Sequence, residues 1–159
     1  MIKVLLFDLS RTLLFPRDPS YKGELNPLHA QLNKTPGYDF NRHFYLNSEL
    51  LEFLMGLKPR FRLCIFTSGV IQNAKAIKSR LRKVFDTIFS AEELRVTKKN
   101  PCSYVLIAKI LHVQLSEILY FDDSQVNVRA ALQAGLQASR YRTNSEVIAH
   151  ISGPLSSQR

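Results

Sequence analysis

The chain has 159 residues, 45% of them apolar and 22% charged, with 6 Gly, 7 Pro and no Trp. A chain of this length buries roughly 68–70% of the surface its unfolded form exposes. That suits one compact domain over residues 1–159 with a short insertion at about 16–47, and excludes disorder and fibres. Lys and Arg outnumber Asp and Glu by 22 to 13, a net charge of +9 that draws phosphate esters, nucleic acid or acidic lipid surfaces without choosing among them.

The only cysteines, Cys64 and Cys102, have no CxxC spacing, so neither a disulfide framework nor a zinc knuckle is indicated. Asp8 and Arg11 interrupt the first apolar stretch before the core of an export signal forms. No apolar run approaches the ~20 residues needed to span a bilayer. The expectation is a cytoplasmic protein with no membrane partner.

Residues 2–9 are almost continuously apolar and end in an acid, as does a strand buried on both faces. From Phe15 to Asn47 the chain is polar, with four prolines, and reads as loop with short helical pieces. Its aromatic residues Tyr38, Phe40, Phe44 and Tyr45 suit either a site wall or a small satellite core. Ser48 reads as the N-cap of a helix that leads into a strand at 61–66. After Thr67-Ser68-Gly69, the spacing of Val70, Ala74, Ile77, Leu81 and Val84 predicts one buried helical stripe. The opposite face is basic, with Lys75, Lys78, Arg80, Arg82 and Lys83, and reads as solvated, with nucleic acid as a lesser alternative.

A strand at 87–89 follows, then Asn100-Pro101 as N-cap and first residue of a helix through His112. A second acid-terminated strand at 118–121 precedes a helix capped by Asp123 or Ser124 and stopped at Gly135. A last strand at 138–141 and a helix from about Asn144 close the chain. Alternating strands and helices predict an α/β, doubly wound parallel sheet with ligands at the carboxyl ends of its strands.

Four polar clusters fall at those ends or before helices: residues 8–12, 67–69, 98–101 and 122–127. If the sheet's switch point lies between the first and fourth strands, Asp8 and Asp123 stand side by side, where two carboxylates repel unless a cation separates them. An oxygen-lined site with a phosphate to share suits Mg²⁺. Each cluster has a plainer reading too: Thr67-Ser68-Gly69 as a helix cap, Lys98-Lys99 as a solvated turn, Asp122-Asp123 as a salt-bridged pair.

The segments FDLSRTL, IFTSG, KKNP and YFDDSQVNVRAALQAGL resemble, in order and spacing, the haloacid dehalogenase-like (HAD) hydrolase superfamily, over roughly residues 2–151. The resemblance implies a three-layer, Rossmann-like sheet of strand order 5-4-1-2-3 with a small or absent cap. It also implies Mg²⁺-dependent phosphoryl transfer from a phosphorylated substrate, large ones included because the site is open, through an aspartyl-phosphate on Asp8. Asp8, the Ser10 carbonyl and Asp123 would hold the metal. Thr67, Ser68 and Lys98 would hold the phosphate, with Lys98 also catalytic, while Asp122 and Asn127 would orient the lysine or the metal's water.

Two positions depart from the pattern. Phosphatases of the superfamily place an acid two residues after the nucleophile, and this chain has Ser10; losing such an acid–base group costs about 10²–10⁴-fold unless another group replaces it. Arg11 stands where such loops commonly carry Gly, and suits either a phosphate contact or solvent. The alternative to a phosphatase is a non-catalytic module that binds a phosphate or a protein in the same pocket.

Overall fold

The computed structural model describes residues 1–153, so the last six residues of the expected domain lie outside the described residues. Strand β1 (Val4–Phe7) leads to an antiparallel ribbon of β2 (Leu14–Pro16) and β3 (Phe44–Leu46), between which run helices α1 (Leu25–Leu32) and α2 (Phe40–His43). Next come α3 (Ser48–Met55), β4 (Arg62–Thr67), α4 (Lys75–Val84), β5 (Thr87–Ser90) and α5 (Ala91–Leu94). Then follow α6 (Pro101–Leu111), β6 (Ile118–Asp122), α7 (Gln125–Ala134), β7 (Gln137–Arg140) and α8 (Asn144–Ser152).

Five strands form one parallel sheet in the order β5-β4-β1-β6-β7. In chain numbering this is not 5-4-1-2-3, because residues 14–16 and 44–46, all but Leu14 in the stretch expected as loop with short helical pieces, are strands that take the second and third numbers and stand in a separate ribbon. Within the parallel sheet β1 is central, with Leu5 level with Leu63 of β4 on one side and Leu119 of β6 on the other.

Because side chains alternate along a strand, a sheet covered on both faces must be apolar at every position. Leu5, Phe7, Leu63, Ile65, Leu119 and Phe121 pack with residues of α3, α4 and α8. Val4, Leu6, Cys64, Phe66, Ile118 and Tyr120 pack on the opposite face with residues of α6 and α7. The result is three layers. No helix among the described residues is long and apolar enough to cross a membrane.

Local chemistry sets the element ends. Asn100 accepts from the Cys102 amide at 2.9 Å and Pro101 opens α6. Gly135, at φ +104°, ends α7 in the left-handed conformation. The cap of α3 is Asn47, not Ser48: its Oδ1 accepts from the Leu50 amide at 3.3 Å while its Nδ2 donates to the Thr12 carbonyl at 3.0 Å. The α4 stripe begins at Ile77, since residues 71–73 form a 3-10 turn and Val70 is 41% exposed. Instead of a satellite core, Phe40 and Phe44, with rings 4.9 Å apart, join the core on the α3 face with Tyr38 packed against it, while the exposed Tyr45 stacks on Phe15.

Candidate active site at the carboxyl end of the central strands

Parallel pairing of β1 with β6 carries the two acid-terminated strands to one edge of the sheet. Asp8 follows β1 directly, its amide donating to the Phe121 carbonyl at 2.8 Å, and Asp122 ends β6 with Asp123 next. One oxygen from each of Asp8, Asp122 and Asp123 lies within 4.8 Å of the others. The expected convergence of Asp8 and Asp123 therefore exists in the fold.

Lys98 reaches this cluster from the loop before α6. Its Nζ lies 2.5 Å from Asp8 Oδ1 and 2.7 Å from Asp122 Oδ2, and the residue is only 4% exposed. The neighbouring Lys99 is exposed on the cavity wall, so of the two lysines Lys98 carries the buried contact. Tyr104 fixes the approach by donating its hydroxyl to the Lys98 carbonyl at 2.8 Å, and that oxygen also lies 3.1 Å from the Asn127 carbonyl.

Asp122 is saturated. Besides Lys98, its Oδ2 accepts from the Tyr120 hydroxyl and from Asn127 Nδ2 at 3.0 Å, and its Oδ1 accepts from the Ser124 amide at 2.7 Å. Neither Tyr104 nor Tyr120 was anticipated. Tyr120 stands two residues before Asp122 on an otherwise apolar strand, hence on the same face, and its lone hydroxyl needs a partner when buried.

Burial pushes the Asp8 carboxyl well above its ordinary range, and the charges of Asp122 and Asp123 push it further, against the pull of Lys98. Burial also raises Asp123, with Asp122 adding repulsion. For Asp122 burial acts upward, but the Lys98 charge and the hydrogen bonds outweigh it and hold the group below the usual range. Burial opposes the Lys98 charge, yet Asp8 and Asp122 together raise its pKa above its ordinary value.

Three carboxylates against one ammonium leave a deficit of two positive charges in a buried, oxygen-lined cluster. That deficit and donor set fit a divalent, oxygen-preferring cation, with Asp8 and the half-buried Asp123 the carboxylates left to meet it.

The cluster floors a cavity of about 410 Å³ whose wall includes Ser10, Ser68 and Asn127. Thr67 does not line it: the residue is fully buried, and its Oγ1 has no hydrogen-bond partner among the described residues. Ser68 is the member of the 67–69 turn that faces the opening.

Arg11 is half-buried and lies on the cavity wall. It sits at φ +61°, the left-handed region that Gly occupies without strain, and its Nη2 donates to the carbonyls of Tyr21 at 3.1 Å and Gly23 at 2.7 Å. It thereby ties the chain at 21–23, part of the segment joining the ribbon to α1, across the cavity wall.

None of the curated proteins compared matches the chain. A HAD family enzyme of Bacteroides thetaiotaomicron, crystallised with magnesium and inorganic phosphate, superposes with TM-score 0.68 at 14% identity, covering 89% of this chain and 95% of that one. A HAD-superfamily hydrolase, subfamily IA, from Geobacter sulfurreducens PCA gives TM-score 0.65 at 16% identity, covering 94% and 96%. The 2-haloacid dehalogenase of Pseudomonas syringae pv. tomato DC3000 gives 0.58 at 20% identity, covering 89% and 86%. At these identities the likeness is one of fold. The sequence profile of the haloacid dehalogenase-like hydrolases matches residues 22–135, more than half of the chain, taking in Lys98, Asp122 and Asp123 and beginning after Asp8. The chain belongs to the haloacid dehalogenase-like hydrolase family.

Proposed function

We propose that the chain is a Mg²⁺-dependent phosphohydrolase that passes the phosphoryl group of a phosphomonoester to Asp8 and then to water. The observation that carries this reading is the Asp8–Lys98 ion pair at 2.5 Å inside a cluster of three carboxylates. Asp8, Asp123 and the Ser10 carbonyl are the groups that would hold the metal. Bound there, Mg²⁺ would neutralise charge on the phosphoryl oxygens.

The remaining work falls to side chains. An Asp8 oxygen attacks phosphorus, and Lys98 offsets the negative charge shared by that carboxylate and the phosphoryl group. Ser68 on the wall holds a phosphoryl oxygen. Asp122, pinned by Tyr120, Asn127 and the Ser124 amide, fixes where Lys98 points. Of residues 17–43, between β2 and β3, only 22–26 line the cavity among the described residues, which suits bulky phosphorylated substrates.

An activated aryl phosphate tests the reading, because its leaving group needs no proton. Phosphate release is expected with millimolar Mg²⁺, lost on chelation and restored by adding the metal back. No release in Mg²⁺, or release indifferent to chelation, overturns it.

A further inference from the structure

We infer that Glu24 is the general acid and base of this site, the part that Ser10 cannot play. The inference rests on the phosphohydrolase reading above.

Ser10 lines the cavity but has no proton of suitable acidity to give an alkoxide, and no carboxylate to draw one from water. Asp8 and Asp122 are paired with Lys98, and Asp8 and Asp123 are the carboxylates left to meet a cation. Lys22, also on the wall, donates its Nζ to the Pro19 carbonyl at 2.9 Å. Among the described residues, Glu24 is the one carboxylate of the cavity wall outside the acidic cluster.

Its backbone is held while its side chain is not. Arg11 grips the Gly23 carbonyl at 2.7 Å, and the Tyr21 hydroxyl donates to the Glu24 carbonyl at 3.0 Å. Two residues on, Asn26 Oδ1 accepts from the Ile71 amide at 2.9 Å, and Leu25 between them is buried. That last contact needs Gly69, where a Cβ would come within 2.5 Å of Asn26 Oδ1. Glu24 precedes α1 at its N-cap position, yet its carboxylate makes no capping bond. Glu24 thus stands at the wall of the phosphoryl-transfer cavity with a held backbone and a carboxylate that makes no capping bond. It also gives Arg11 a reason to occupy a strained position: it positions the strap that carries Glu24.

In the first step the Asp8–phosphorus bond forms and the bond from phosphorus to the ester oxygen breaks, its electron pair leaving with that oxygen. The protonated Glu24 carboxyl gives its proton to the leaving oxygen. In the second step the Glu24 carboxylate takes a proton from water, whose oxygen attacks phosphorus. The Asp8–phosphorus bond then breaks, returning the Asp8 carboxylate and releasing phosphate.

The experiment compares kcat/KM for an alkyl and an aryl phosphate in the unsubstituted chain, in Glu24→Gln and in Glu24→Gln with Ser10→Asp. Glu24→Gln is expected to lower the alkyl-ester value by about 10²–10⁴-fold and the aryl-ester value far less. Ser10→Asp should restore the alkyl ester, and Mg²⁺ affinity by calorimetry should be the same in Glu24→Gln as in the unsubstituted chain. An alkyl-to-aryl ratio that Glu24→Gln leaves unchanged overturns the inference and spares the phosphohydrolase reading. An equal fall for both esters, which a merely structural role would produce, likewise overturns it. If the unsubstituted chain hydrolyses neither ester, the reading itself fails and the inference falls with it.

Discussion

Lys98→Met is expected to cost about 3–5 kcal/mol of folding stability at neutral pH, the scale on which a buried ion pair responds to loss of one partner. For a domain of this length that is a fall in Tm of roughly 6–20 °C. Methionine keeps the apolar stem that packs near the Phe66 and Tyr120 rings, whose centroids lie 5.6 and 5.8 Å from Nζ, so the loss isolates the charge. Asp8 and Asp122, 4% and 0% exposed, would be left with no buried counter-ion.

The pH dependence should invert. In the unsubstituted chain Asp122 is held below its ordinary range, burial being outweighed by Lys98, so the pair's contribution is present above that range. It is lost as pH falls through the depressed value. Without Lys98 both carboxyls would be raised in the folded state, so the variant should regain stability, relative to the unsubstituted chain, as pH falls through those raised values. Added Mg²⁺ should also recover part of the lost Tm, by binding the folded state alone. Thermal melts across pH check both, and a variant as stable as its parent at pH 7 would mean that Lys98 is not the counter-ion of the cluster.

Asp8→Asn is expected to lower phosphate release by about 10⁴-fold or more, as removal of a nucleophile does elsewhere, with no fall in Tm in metal-free buffer. The two results have one origin. Burial and the neighbouring acids raise Asp8 well above its unfolded value, so its ionisation opposes folding at neutral pH, and the amide removes that opposition at nearly constant shape. Asp122 still partners Lys98 in the variant. A melt beside a phosphate assay checks the pair, and substantial turnover by Asp8→Asn would exclude Asp8 as the attacking group.

Much of this architecture can be read from residue order because it depends on short-range chemistry. Strands covered on both faces are continuous apolar runs, so β1 and β6 stand out, and their terminal acids mark the end where ligands gather. Asn100-Pro101 and Gly135 are local punctuation that works the same way in any fold.

What escapes is chemistry made by distant partners. The ribbon strands Leu14–Pro16 and Phe44–Leu46 are three residues each, too short for alternation to register, and exist because they pair with one another. Asn47 displaces Ser48 as the cap because its amide also reaches the Thr12 carbonyl and Asn144 Oδ1, far away in sequence. The Arg11 grip on residues 21 and 23 is likewise invisible along the chain, where Arg11 suits either a phosphate contact or solvent. Thr67 shows the converse: the strand end is legible along the chain, but burial puts Ser68, not Thr67, on the wall.

The most direct measurement is acid quenching of the chain during turnover of a phosphomonoester in Mg²⁺, followed by peptide mass analysis. The account predicts a phosphoryl group on the peptide containing Asp8, acid-stable and base-labile as an acyl phosphate is, and absent after chelation. A phosphoryl group on any other residue, or turnover with none on Asp8 at any time, would contradict it.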